Sequence, residues 1–122
     1  MAVRKRAVYL AAALTLGLAC SVIPLSAKGQ RKAPKPSAAV LAAGKTVYAK
    51  HACAACHAIA GTGSKAGPDL TRTGRGRTAA WMTLVIRDPK KLFPRGTMPA
   101  YGSDRIPDKD LKALVAYMLS LK

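Results

Sequence analysis

Glutamate is absent from the 122 residues, and five aspartates oppose 21 lysines and arginines, for a formal charge of +16. Aromatics are scarce, with one Trp and one Phe, and there are only two histidines and three cysteines. A chain this short excludes a multidomain enzyme, and the aromatic shortage argues against a large aromatic-rich core. A hydrophobic fraction of 50% excludes a charged disordered tail. The excess positive charge points to an anionic counterpart: nucleic acid, an anionic membrane surface or an acidic protein. An odd number of cysteines leaves one in need of an explanation.

What is present is unevenly distributed. Arg4, Lys5 and Arg6 precede an uncharged, Ala- and Leu-rich run from Ala7 to Ala27. This pattern predicts a secretory signal over residues 1–27, cleaved after Leu25-Ser26-Ala27. Uncleaved, the run is long enough for a membrane anchor, since about 20 apolar residues span a bilayer. Lipidation of Cys20 is a poorer reading, because Gly17 stands where a large apolar residue is expected. Cys20 is then the odd cysteine, a small apolar residue of the export segment. Residues 28–36 (KGQRKAPKP) carry four basic residues and no large apolar side chain. They read as a basic, Pro-rich linker too poor in apolar surface to offset its own ordering entropy.

The remaining residues, 37–122, are expected to form one all-α domain. Ser37 is placed to cap a helix to about Lys50, with Val40, Leu41, Gly44, Val47 and Tyr48 on one face. Residues 61–76 are loop, punctuated by five glycines and a proline. Thr78 can cap a second helix, which Asp88-Pro89 ends because the residue before proline avoids helical geometry. Residues 92–105 read as irregular. A last helix from about Asp108 to Leu121 carries Leu111, Leu114, Val115 and Met118 at i, i+3, i+4, i+7 spacing, with Asp108 and Asp110 at its positive end. No segment alternates like a strand. Short helices and long loops make a thin core, and loops of about 15 residues are uncommon unless they wrap something. A filler other than amino acid is implied.

Cys53-Ala54-Ala55-Cys56-His57 is C-x-x-C-H, the attachment signature of c-type haem. Two thiols three positions apart on one turn can add to the two vinyl groups of one haem, and the following imidazole reaches the iron. A redox dithiol would need a βαβ context, which is lacking. Zinc would need two further ligands, and His51 is the one remaining histidine. A disulfide would close only a tight local loop. Export agrees with the haem reading, because c-type haem is attached outside the cytoplasm.

With that motif in place, GKTVYAKHACAACHAIAGTGSKAGPDL, Trp81, DPKKL, GTMPAY and DLKALVAYMLSLK together resemble the class I c-type cytochromes over about residues 43–122. The resemblance implies three or four helices around one covalently bound haem c. It also implies contact between the terminal helices, here Gly44 and Tyr48 against Leu114 and Tyr117, with Gly44 permitting close approach. Iron in such sites takes His on one side and commonly Met on the other. Met82 and Met118 lie on helices, where methionine is more often core filler. Met98 lies in the loop Gly96-Thr97-Met98-Pro99, at the family's axial position, so the expected metal ligands are His57 and Met98. The resemblance further assigns the Pro68 carbonyl, in Gly67-Pro68-Asp69-Leu70, as acceptor of the second His57 nitrogen. Trp81 fits the haem edge and the core equally well, Tyr101 is expected to shield the methionine side, and His51 reads as a solvated helix-end residue.

Two axial ligands leave no open site, so no enzymatic role is expected. The expected function is a periplasmic mono-haem carrier of single electrons between redox proteins. The alternative is the haem c subunit of a membrane oxidase or dehydrogenase complex. Residues 37–122 hold +9 of the charge. Arg72, Arg75, Arg77, Arg87, Lys90, Lys91 and Arg95 could form a basic rim that steers acidic redox partners. An ordinary solvated surface explains them as well. Nucleic acid is not expected, and membrane contact is confined to the N-terminal segment.

Overall fold

The structure is a computed structural model that describes residues 34–122. The expected export segment, residues 1–27, and residues 28–33 of the linker lie outside the described residues. Four helices follow in order: α1 Ala38–Lys50, α2 Ala79–Arg87, α3 Pro89–Leu92 and α4 Asp108–Ser120. A 3₁₀ turn at Cys53–Ala55 and two-residue strands β1 Ala58–Ile59 and β2 Thr62–Gly63 lie between α1 and α2. Among the described residues, no helix is long and apolar enough to cross a membrane.

The helix starts follow from local chemistry. Ser37 Oγ accepts the Val40 N–H at 3.3 Å, and Thr78 Oγ1 accepts the Trp81 N–H at 3.1 Å. Each satisfies a donor that the first helical turn leaves unpaired. Asp88 is extended (φ −148°, ψ 72°), so α2 ends at Arg87 as the Asp88-Pro89 dipeptide requires. Pro89 then opens α3, where its fixed φ and missing N–H suit a first helical position. This one-turn helix was not apparent from periodicity, which needs more than four residues to register. The β-hairpin is a second difference. Ala58 pairs with Gly63 and Ile59 with Thr62, across a two-residue turn with positive φ at Ala60 (49°) and Gly61 (79°). Such a turn favours Asn-Gly or Asp-Gly. Ala-Gly carries a much weaker signal.

The core is the crossing of the terminal helices. Val47 and Tyr48 of α1 meet Leu111, Leu114, Val115 and Met118 of α4, joined by Met82 and Ile86 of α2 and by Ile106. Gly44 sits at the point of closest approach: a Cβ there would run into the Ala113 carbonyl oxygen and lie 2.6 Å from the Tyr117 Cβ. The Tyr48 and Tyr117 rings meet edge-on beside it, with centroids 6.3 Å apart. The contact implied by the family resemblance is therefore present, with Ala113 supplying the backbone neighbour that the side-chain pattern does not reveal.

Candidate haem site

The segments between helices enclose a cavity of about 940 Å³. Cys53, Cys56 and His57 line it, as do Gly67 and Pro68 from one loop and Met98 from another. Leu70, Val85, Ile86 and Leu114 are among its apolar wall residues.

The attachment motif is held by its own backbone and by its neighbours. The Cys53 carbonyl accepts the N–H groups of Cys56 (3.2 Å) and His57 (3.0 Å), which curls both cysteines and the histidine into one turn. The hairpin braces this turn through Ser64 N–H to Ala54 O at 2.9 Å. Tyr48 donates its hydroxyl to the His57 carbonyl at 3.0 Å, tying the motif to α1. Cys53 is half-buried, Cys56 is exposed, and the two are not disulfide-bonded. Burial pushes the Cys53 thiol up.

His57 Nδ1 lies 2.8 Å from the Pro68 carbonyl oxygen. A carbonyl can only accept, so Nδ1 is the donor, and in the neutral ring this leaves Nε2 the lone pair that a metal needs. The approach is tight. A Cβ on Gly67 would lie 2.8 Å from His57 Cε1 and 2.9 Å from Nδ1, so only glycine lets this loop pass against the imidazole. Asp69 secures the same loop: its carboxylate accepts the Thr71 N–H at 2.7 Å, while Thr71 Oγ1 accepts the Ala60 N–H at 2.8 Å. The bonds to Thr71 hold the Asp69 carboxyl below the usual carboxylate range. A lowered folded value means the contribution to stability is complete above the unfolded value of about 3.9 and is lost as pH falls through the folded value. Asp69→Asn is therefore expected to flatten the acid limb of stability, read as denaturant midpoints across that pH range. An unaltered limb would show that Asp69 does not secure the loop.

The other expected residues divide. Met98 is half-buried on the cavity wall and packs against the core cluster, whereas Met82 and Met118 are buried members of that core and also reach the cavity. Trp81 touches both the core and the cavity. It meets Phe93 edge-on at 6.3 Å and lies beneath the Arg77 guanidinium at 4.2 Å. Tyr101 lines the cavity beneath Arg105, and burial raises its hydroxyl pKa. Arg72, Arg75 and Arg77 lie at the cavity, and Lys90, Lys91 and Arg95 are exposed.

Two readings need correction. His51 is not a solvated helix end. It is half-buried, its ring meets Tyr101 edge-on at 6.2 Å, and its Nε2 is buried without a hydrogen-bond partner in the protein. Arg87 is not a rim charge. Its side chain is only 20% exposed and turns toward the backbone that follows Met98. Tyr48 as donor to the motif, and Asp69 and Thr71 as braces, went unrecognised. The Asp-x-Thr spacing after Pro68 is the one signal that could have suggested an Asx-type turn.

A cavity that brings two free thiols and a correctly protonated imidazole to one apolar space fits haem c. Among the described residues, no three His, Cys, Asp or Glu side chains converge as a site for a bare metal ion. A small all-α fold wrapped around such a space defines a mono-haem c-type cytochrome domain, with one covalently attached haem c. The comparisons narrow the class. Residues 39–118 match the family model described as "Cytochrome C oxidase, cbb3-type, subunit III", and the chain belongs to that family. A c-type cytochrome domain of this family carries electrons rather than catalysing. The chain is 34% identical over 96 residues to "Cytochrome c oxidase subunit 2" of Alkalihalophilus pseudofirmus, covering 72% of this chain and 28% of that protein. It is 39% identical over 87 residues to "Lupanine 17-hydroxylase [cytochrome c]" of a Pseudomonas species, covering 70% of this chain and 12% of that protein. The chain thus spans under a third of either relative's length.

Proposed function

We propose that this protein is the haem c electron-transfer unit of an exported, membrane-associated oxidase complex, and that it passes single electrons to or from a redox partner. The match to an oxidase subunit family over residues 39–118 carries this reading and favours a complex subunit over a free-standing periplasmic carrier. Cys53 and Cys56 form the thioether links, His57 and Met98 ligate the iron, and the Pro68 carbonyl orients His57. The haem supplies a one-electron couple, and the His/Met pair favours the reduced state and raises the potential. The protein's own residues hold the ligands in place before and after transfer, which keeps the rearrangement on reduction small.

The cations beside the cavity support an acidic docking partner. Arg95 stands two residues from Phe93, which is 49% exposed, and Arg72 and Arg75 lie at the cavity. An exposed apolar side chain flanked by positive charge suits a transient redox interface, whose association rate falls as salt rises. Residues 1–27 are assigned to export or anchoring, residues 28–36 to a linker and residues 37–122 to the cytochrome domain.

Native purification from membranes in mild detergent tests the reading. Co-purification with an oxidase catalytic subunit is expected. Recovery as a free monomer from the soluble fraction would favour the independent carrier instead. Intact mass of the same sample should show one added haem and reports the N-terminus.

A further inference from the structure

We propose that Arg87, assisted by Lys90, is a positioning residue that sets how firmly the Met98 sulfur is held at the haem site. The inference rests on the assignment of Met98 as axial ligand. Arg87 stands at the last position of α2, and both terminal nitrogens of its guanidinium are engaged. One terminal nitrogen donates to the Tyr101 carbonyl at 2.8 Å and to the Ile106 carbonyl at 2.7 Å, and the other donates to Asp108 Oδ1 at 2.6 Å. The Tyr101 N–H is bound in turn by the Ile86 carbonyl at 3.0 Å. Both backbone groups of Tyr101 are therefore fastened to the end of α2, three residues after Met98.

Lys90 acts upstream. Its ammonium donates to the Gly96 carbonyl, two residues before Met98, with the Pro94 carbonyl 3.5 Å away. Residues 86–90 thus bracket the methionine on both sides. Between the brackets, among the described residues, no backbone group of Thr97–Ala100 hydrogen-bonds to protein. Hydrogen bonds hold the span that carries the sulfur at its ends only, while the Met98 side chain packs against the core, so loosening an end loosens the sulfur. Arginine suits the downstream anchor because a planar fork reaches two carbonyls and a carboxylate together, which a single ammonium cannot do.

Displacement of the sulfur by an external ligand requires a state in which the Met98 span has moved away. The apparent dissociation constant of that ligand is its intrinsic constant divided by the population of the open state. Freeing one end of the span raises that population, and loss of charge-assisted bonds of this kind is expected to do so roughly tenfold.

Imidazole titration of the oxidised holoprotein tests this. Arg87→Gln is expected to bind imidazole about tenfold more tightly than the native protein, and Arg87→Lys to fall between them. Val47→Ala is the control for general destabilisation, because it weakens the contact between α1 and α4 without touching the Met98 span. Its imidazole affinity is expected to stay within about twofold of native, as for independent sites. Native-like affinity in Arg87→Gln, or equal tightening in Val47→Ala, overturns the proposal. If Arg87→Gln does not accumulate, Arg87→Lys decides: no tightening overturns the proposal, and clear tightening upholds it. Failure of the ligand assignment itself looks different, because the native protein would then lack the methionine-to-iron charge-transfer band and Met98→Ala would leave the spectrum unchanged.

Discussion

Met98→Ala is expected to keep its covalent haem, lose the methionine-to-iron charge-transfer band of the oxidised protein and gain binding of carbon monoxide when reduced. Covalent attachment depends on Cys53 and Cys56, in a turn closed by its own hydrogen bonds and remote in sequence from residue 98. The substitution is therefore expected to leave the haem in place and remove the thioether arm. Nothing else in the span replaces it: Thr97, Pro99 and Ala100 offer no soft donor, and thioether is the ligand that raises the potential of such sites. The reduction potential should fall accordingly, read by spectroelectrochemical titration. Met82→Leu and Met118→Leu are the matched controls, because both residues touch the same cavity but are buried in the core. They should retain the band at a cost below about 1.5 kcal/mol in stability, as volume-conserving apolar exchanges do. An unchanged Met98→Ala spectrum would overturn the ligand assignment.

The second large effect is expected at Gly44. Alanine there gains about 0.8–1.0 kcal/mol in helix propensity. Against this, the added methyl runs into the Ala113 carbonyl oxygen and the Tyr117 Cβ. A carbonyl fixed in the middle of α4 cannot rotate away, so the helices must move apart. Val47, Tyr48 and Leu114 then lose packing together, and overpacking of this kind costs about 1–3 kcal/mol, occasionally more. Because the obstacle is backbone, the upper part of that range applies, and a net loss of about 2 kcal/mol is expected. In a domain of this size that lowers Tm by roughly 8–16 °C. Thermal unfolding of the holoprotein followed by circular dichroism measures it. A Tm equal to or above native would show that the helix contact is loose enough to admit a methyl group.

How much of the fold is legible in the amino-acid sequence depends on how local its cause is. Ser37 and Thr78 were legible as caps because a cap acts over three residues. The stripe Leu111, Leu114, Val115 and Met118 was legible because a helix repeats every 3.6 residues. C-x-x-C-H was legible because both attachment points and the imidazole lie within one turn. The hairpin was missed because Ala60 occupies a left-handed position without the Asn or Asp that would advertise it. Arg87 was misread because a run of cations looks alike in one dimension. The turn of its side chain toward Tyr101, Ile106 and Asp108 depends on loops that have no periodicity of their own. The burial of His51 is hidden for the same reason, since its ring meets Tyr101, 50 residues further on.

The chemistry was therefore settled by short spacings: two thiols and an imidazole in five residues identify the cofactor, and a thin core with long loops requires one. What only the tertiary structure decided is how those groups are held. The proton sits on His57 Nδ1 because the Pro68 carbonyl arrives from another loop. The loop can arrive because residue 67 has no side chain. The span around Met98 is fastened by cations from residues 87 and 90. Each is a contact between segments distant in sequence, set by where the packed helices leave room.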